Sequence, residues 1–406
     1  MKKSHIDWCP VIPDHWEEKR IKDIAFLQSG NSITAMDFVE DGKYPVYGGN
    51  GLRGYTNTYT NEGDYVLIGR QGALCGNINY AHGKFYASEH AVVVYPKKEE
   101  ITLWLGETLR TANLNRLSMT AAQPGLAVST LNLQFIPFPP KDERIRIAKY
   151  LDKKLSEIDH QVSLLTSKRD AYLRLKKSII NHAVTRGLNP NVKMKDSGIE
   201  WIGEVPEHWE VKRMKELSAI GSGTTPKSGE DKYYENGIHP WLNTSDVQDC
   251  VINEAKFSIT DKALNDYSVL KYYPIGTILI AMYGGGTIGN VALMNISATI
   301  NQACCAIVSN EKLLLPKYLF CYLKCHKKKI ISLGFGGTQV NLSQAIIAHL
   351  PVVLPPLPEQ RAIATYLDDK CAKIDTIVSN LDKQISCYAD LKRSLIDEVI
   401  TGKRAV

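Results

Sequence analysis

Two blocks of this chain each occur twice, and that repeat limits the folds open to it more than any other feature. The block IDWCPVIPDHWEEKRIKDIAFLQSG at residues 6–30 returns as IEWIGEVPEHWEVKRMKELSAIGSG at residues 199–223. The copies share Trp8 and Trp201, Pro13 and Pro206, His15 and His208, Trp16 and Trp209, and Lys19 and Lys212. The block PPKDERIRIAKYLDKKLSEID at residues 139–159 returns as PPLPEQRAIATYLDDKCAKID at residues 355–375. That match continues in one register through Val162 and Val378, Leu165 and Leu381, Tyr172 and Tyr388, and Thr185 and Thr401. A repeat of about half the chain means one structural unit built twice. Each half then reads as a similar leading block, a divergent middle and a similar closing block. Similar ends imply a common frame, and divergent middles imply two surfaces doing one kind of job on different targets.

The middles carry short β-branched runs between turn residues, at Tyr65–Ile68, Ala91–Tyr95, Thr277–Ala281 and Ala303–Val308. Only GDYVLIGRQGALCGNI (residues 63–78) and GTILIAMYGGGTIGNV (residues 276–291) align between them. Helical stretches follow near residues 101–118 and 316–332. Each middle is therefore expected to be an α+β domain with long glycine-rich loops.

The closing blocks repeat apolar residues at alternating steps of four and three. The seam in the first copy is Leu151, Leu155, Ile158, Val162 and Leu165; in the second it is Leu367, Cys371, Ile374, Val378 and Leu381. Arg169, Lys176 and Lys392 interrupt it at positions that should face a partner. Each block predicts a helix of about 40–45 residues, about 60–65 Å long. A single apolar stripe on so long a helix needs a covering partner, and the other copy is the simplest one. An antiparallel pair is expected, with a domain at each far end, tens of ångströms apart and so suited to sites one to two turns of duplex apart.

Charge is distributed unevenly. Residues 141–186 hold 12 Lys and Arg against 6 Asp and Glu, whereas residues 21–135 hold 9 against 10 and residues 214–349 hold 12 against 10. Globular segments this neutral are not surfaces that grip nucleic acid mainly through phosphate. The nine cysteines are scattered without a CxxC pair and read as reduced thiols of a cytoplasmic protein. No apolar run is long enough to cross a membrane.

The stretch GLNPNVKMKDSGIEWIGEVPEHWEVKRMK, the closing phrases FPPKDERIRIAKYLD and LPPLPEQRAIATYLD, and GTTPKSGEDKYYENGIHPWLNTSDV make the chain resemble the specificity subunits of type I restriction–modification systems. The resemblance covers nearly the whole length. It implies an α+β fold of two target-recognition domains in pseudo-twofold arrangement, separated by two long antiparallel helices forming a coiled coil. Residues 1–140 would be the first recognition domain, 141–198 the central helical spacer and linker, 199–356 the second domain and 357–406 the C-terminal spacer. It further implies a bipartite target in double-stranded DNA, two modification subunits, and restriction subunits. S-adenosylmethionine, Mg2+ and ATP would sit on those partners and not on this chain.

The residues agree with a non-catalytic reading. Gly284–Gly289 lacks the ending of a phosphate-binding loop and reads as a glycine-rich turn. Neither an Asn/Asp-Pro-Pro-aromatic tetrapeptide nor an acidic nuclease cluster is present. Cys321, Cys325 and His326 lie on one helix without a second pair, which favours core thiols beside a surface histidine over a metal site. The repeated His–Trp pairs read as packing against the helices. Base edges are read by Arg, Lys, Asn and Gln and by aromatic contacts. The loop candidates are Asn50, Arg53, Tyr55, Arg70, Gln71 and Asn77 in the first middle, and Lys227, Tyr233, Asn243, Tyr283, Asn290 and Gln339 in the second. Lys327, Lys328 and Lys329 are candidate phosphate contacts, with a solvated helix end as the plainer reading. The competing functions are a stand-alone nucleic-acid-modifying enzyme and a structural scaffold with degenerate recognition domains.

Overall fold

The computed structural model describes residues 1–72, 74–98, 101–118, 125–336 and 340–406. The chain forms two compact units. The first is Met1–Ser167 with Leu381–Val406, and the second is Lys168–Asn380. Two helices, Lys141–Arg186 of 46 residues and Leu357–Ile400 of 44, contribute segments to both. At ~1.5 Å per residue the longer measures roughly 69 Å.

In the first unit the leading block is tied directly to the closing block. Glu17–Arg20 pairs antiparallel with Phe135–Phe138, from Phe135 opposite Arg20 to Phe138 opposite Glu17. The pairing closes the middle into a loop, so the middle can diverge without disturbing its frame. The main sheet has the order Ala25–Ser29, Ala91–Pro96, Tyr65–Gly69, Ile78–Ala81, all antiparallel. Its central strands are apolar and buried through Val66–Ile68 and Ala91–Val94, where both faces are covered. Val66, Ile68, Val92 and Val94 face a cluster with Trp104, Leu105 and Leu109 of the helix Thr102–Thr111. Leu67 and Val93 point the other way, onto Phe85 and Ala87. The two-residue alternation of a strand thus sorts one apolar run between a helix and a second sheet. That second sheet has the order Gly51–Thr56, Tyr44–Gly48, Lys84–Ala87, Asn61–Glu62.

The second unit repeats this plan. Glu210–Arg213 pairs with Pro351–Leu354. The main sheet has the order Ser218–Ser222, Cys304–Ser309, Ile278–Ala281, Val291–Met294, with Cys250–Ile252 added in parallel at the edge. Ile278, Ile280, Cys305 and Ile307 face Tyr318, Leu319, Tyr322 and Leu323 of the helix Pro316–Ser332. Leu279, Ala281, Cys304 and Ala306 face Leu242 and Ile300 of the smaller sheet. The adjacent Cys304 and Cys305 therefore enter different clusters. Both are free thiols, and burial pushes Cys305 up to about 12 and Cys304 higher still.

The leading block holds two helix ends in each unit. His15 Nε2 meets Glu143 Oε2 at 2.9 Å, and His208 Nε2 meets Glu359 Oε1 at 2.6 Å. Trp16 and Trp209 are buried. Each lies against the glycine that ends a long helix, and a Cβ at that glycine would come within 3.1 Å of Trp16 at Gly402 and 3.0 Å of Trp209 at Gly187. Both glycines have positive φ, 71° and 78°, the left-handed geometry that ends helices. The repeated His–Trp pair is thus a clamp on helix ends. A position where the repeats differ does one job in both. Arg144 Nη1 donates to Pro139 O at 3.0 Å, and Gln360 Nε2 donates to Pro355 O at 2.8 Å, each holding the proline turn that starts its helix.

The helices pair antiparallel within each unit. In the first, Ile147, Leu151, Leu155 and Ile158 pack with Leu395, Ile396, Val399 and Ile400, and Lys392 Nζ meets Asp159 Oδ1 at 2.7 Å. In the second, Ala183 and Val184 share a cluster with Ile363 and Leu367, and Lys176 Nζ meets Asp375 Oδ1 at 2.6 Å. These ion pairs join the same two repeat positions in opposite order. Lys176 and Lys392 interrupt the apolar seam to reach a carboxylate across it, whereas Arg169 pairs with the adjacent Asp170 at 2.9 Å. Leu151, Leu155, Ile158, Leu367, Ile374 and Leu381 are buried, and Val162, Leu165, Cys371 and Val378 are half-buried.

Candidate nucleic-acid interface

The first recognition segment brings two glycine-rich loop tips together. One is the turn Gly48–Gly51 between Tyr44–Gly48 and Gly51–Thr56. The other follows Tyr65–Gly69. There Arg70 N donates to His90 O at 2.8 Å, and Arg70 O accepts from Leu126 N at 2.9 Å. Gly69 and Gly49 are so close that a Cβ on Gly69 would stand 2.2 Å from Gly49 O. Asn77 Nδ2 donates to Asn50 Oδ1 at 3.0 Å and ties the tips. Between them opens a cavity of 790 Å³ lined by Asn50, Arg53, Gln71 and His90, with Leu52 and Leu74 at its wall.

Of the first six candidates, Asn50, Arg53 and Gln71 therefore line one concavity. Asn77 braces it, and Arg70 shapes it through its backbone. Tyr55 is exposed on the strand Gly51–Thr56 and does not line the cavity. His90, Leu52 and Leu74 were not foreseen. Leu52 and Leu74, both more than half exposed, are apolar residues inside turn-rich sequence, a signal that was there to read. Nothing in the sequence distinguishes His90.

The second segment is arranged differently. Lys227 Nζ pairs with Glu230 at 2.7 Å, and its two lysine partners hold the Glu230 carboxyl down to about 2. Asn243 closes a turn, its Oδ1 accepting from Ser245 N at 2.8 Å. Tyr283 packs against the helix-side core, and burial raises its phenol. Two candidates need correction. Tyr233 is buried, its hydroxyl donating to Asp266 Oδ2 at 3.1 Å. Asn290 is buried as well; its Nδ2 donates to Val247 O at 2.9 Å and its Oδ1 accepts from Lys327. Their polar groups are satisfied inside the fold, so they hold loops in place and are not offered to a ligand. Lys327 also pairs with Asp249 at 2.9 Å. Gln339 lies outside the described residues.

His326, expected at the surface, is 8% exposed. It sits between Tyr322 and Trp201, with ring centroids 4.4 Å and 4.9 Å away, and its Nδ1 donates to Tyr322 O at 2.9 Å. Desolvation lowers its pKa. Cys325 Sγ donates to Asn181 Oδ1 at 3.3 Å. No group of three or more potential metal ligands occurs among the described residues. The run Gly284–Gly289 is a turn in which Thr287 N donates to Gly284 O at 3.1 Å. No helix among the described residues is long and apolar enough to cross a membrane.

A duplicated α+β domain with divergent loops and a heptad-paired helix in each half defines a recognition protein. The family profile described as type I restriction modification DNA specificity domain matches residues 13–164 and again 206–386. The chain belongs to that family and is a specificity subunit, a recognition chain and not a catalytic one. It is 40% identical over 141 residues to the type I restriction enzyme EcoprrI specificity subunit of Escherichia coli, a match covering 34% of this chain and 35% of that protein. It is 24% identical to the type I restriction enzyme MjaVIII specificity subunit of Methanocaldococcus jannaschii, over 97% of this chain and 93% of that one. Among solved structures, a chain from a study of complex assembly and conformational transition of the type I R-M system superposes with a TM-score of 0.74 at 16% identity. That alignment covers 97% of this chain and all of that one. It establishes the fold.

Proposed function

We propose that each divergent middle reads one half of a bipartite target in double-stranded DNA, and that the chain directs methylation and cleavage carried out by partner subunits. The observation that carries this reading is the duplication itself. One frame, with the same strand closure, the same helix-end clamp and the same ion pair, holds two loop systems that differ in shape and charge. Such a protein presents two unlike reading surfaces through one scaffold. Two modification subunits and restriction subunits are the partners in this reading, and it places S-adenosylmethionine, Mg2+ and ATP on them. The same reading puts the protein in the cytoplasm, and the nine free thiols are consistent with a reducing compartment.

The test is to methylate a random duplex library with the complex of this chain and its modification subunits, then sequence the modified molecules. Two short motifs with a fixed gap are expected. A single contiguous motif, or none, contradicts the proposal. Calorimetry of the isolated chain with S-adenosylmethionine is expected to show no binding heat; binding would favour the stand-alone enzyme.

A further inference from the structure

Among the residues lining the first cavity, Arg53 stands apart. It is exposed, and among the described residues it takes no ion pair and no side-chain hydrogen bond. It is nevertheless held in place. Its guanidinium carbon lies 5.6 Å from the centroid of the Phe38 ring. Its stem crosses Gly48 so closely that a Cβ there would stand 2.3 Å from Arg53 Cδ. Phe38 is fixed in turn, because a Cβ on Gly54 would lie 2.8 Å from its ring. An arginine kept in the open costs little side-chain entropy to use if its stem is already immobilised.

Its surroundings distinguish a base contact from a phosphate contact. The middle that carries it is close to neutral, 9 basic against 10 acidic residues over 21–135, and among the described residues lining the cavity no other Arg or Lys stands beside it. Instead the cavity wall offers the amides of Asn50 and Gln71, with Leu52 and Leu74 exposed beside them. Arginine fork, carboxamide and apolar contact are all among the groups that discriminate base edges in the major groove. Of these, arginine is bidentate to guanine O6 and N7. In the second unit Asn290, the repeat partner of Asn77, is buried and takes Lys327 into its own network, so that loop is braced differently.

We propose that Arg53 is a specificity-determining residue that reads one guanine of the first half-site through its guanidinium fork. The assignment rests on the bipartite reading above. The experiment compares wild type, Arg53→Ala and Arg53→Lys, each assembled with the modification subunits, by methylation of the random duplex library. Thermal melting of each variant confirms the fold. The wild-type motif is expected to contain a guanine in the half-site that residues 21–138 control. Arg53→Ala should lose discrimination at that position alone, by about 5- to 150-fold, leaving the other half-site and the gap intact. Arg53→Lys, with its charge but not its fork, should restore overall methylation more than discrimination. Uniform loss of methylation with the motif unchanged would make Arg53 a phosphate contact and overturn the assignment. An unchanged motif, or a change in the other half-site, would also overturn it. In those cases the wild-type bipartite motif still stands, whereas its absence would reject the functional reading itself.

Discussion

Ile158 and Ile374 occupy the same repeat position, one in each unit, at 7% and 6% exposure. Ile158 packs in the cluster that joins Leu151 and Leu155 to Leu395 and Val399. Replacing it with alanine removes the part of its side chain that fills the seam. Such truncations cost about 2–5 kcal/mol, and a site at the solvent edge of a helix pair belongs near the lower end, about 2–3 kcal/mol. A unit of this size loses roughly 2–4 °C of melting temperature per kcal/mol, so Ile158→Ala should lower Tm by about 4–12 °C. Leu164, 52% exposed on the same helix, is the control; its alanine variant should shift stability by no more than about 0.5 kcal/mol. Differential scanning calorimetry on the full chain measures both, and Ile374→Ala should repeat the effect in the second unit. If Ile158→Ala and Leu164→Ala melt together, the heptad seam is not what holds the helices.

Three further outcomes follow from the clamp, the ion pairs and the buried histidine. Trp209 Nε1 donates to Glu359 Oε2 at 2.9 Å, whereas Trp16 Nε1 is buried and has no hydrogen-bond partner among the described residues. Glu359→Ala should therefore cost about 1–3 kcal/mol by orphaning a buried donor, and Glu143→Ala no more than about 1 kcal/mol; urea unfolding of each variant reads the difference. A double-mutant cycle on Lys176 and Asp375 should give a coupling of about 0.2–1 kcal/mol that shrinks with salt, since the aspartate is 57% exposed. Burial holds His326 below its ordinary 6.5, so the unfolded chain binds the extra proton first. Stability is then whole above that pH and declines as pH falls through it toward the folded-state value. Wild type should lose more Tm than His326→Gln between about pH 7.5 and pH 5.5, and equal losses would remove His326 from the account.

The frame was legible because repetition exposes it. Trp16, His15 and their counterparts return at fixed spacing since each must meet the same helix ends, and the seam shows because heptad spacing survives in both copies. Even Arg144 and Gln360, unlike in sequence, prove to hold equivalent proline carbonyls. The reading surface was legible only in part. Glycine-rich turns located the cavity around Asn50, Arg53 and Gln71, but residue type alone could not separate an outward amide from an inward one. Asn77 and Asn290 align, yet Lys327 buries Asn290 from a helix 37 residues further along. His326 was misplaced for a similar reason, because Trp201, which covers it together with Tyr322 one turn earlier on its own helix, comes from the distant leading block.

The central claim is that the two middles read independently within one frame. Replacing residues 21–138 with the corresponding middle of a relative, and determining the motif methylated by the assembled complex, tests it most directly. The account predicts one half-site rewritten, with the other half-site and the gap retained. A motif altered in both halves, or in neither, would contradict it.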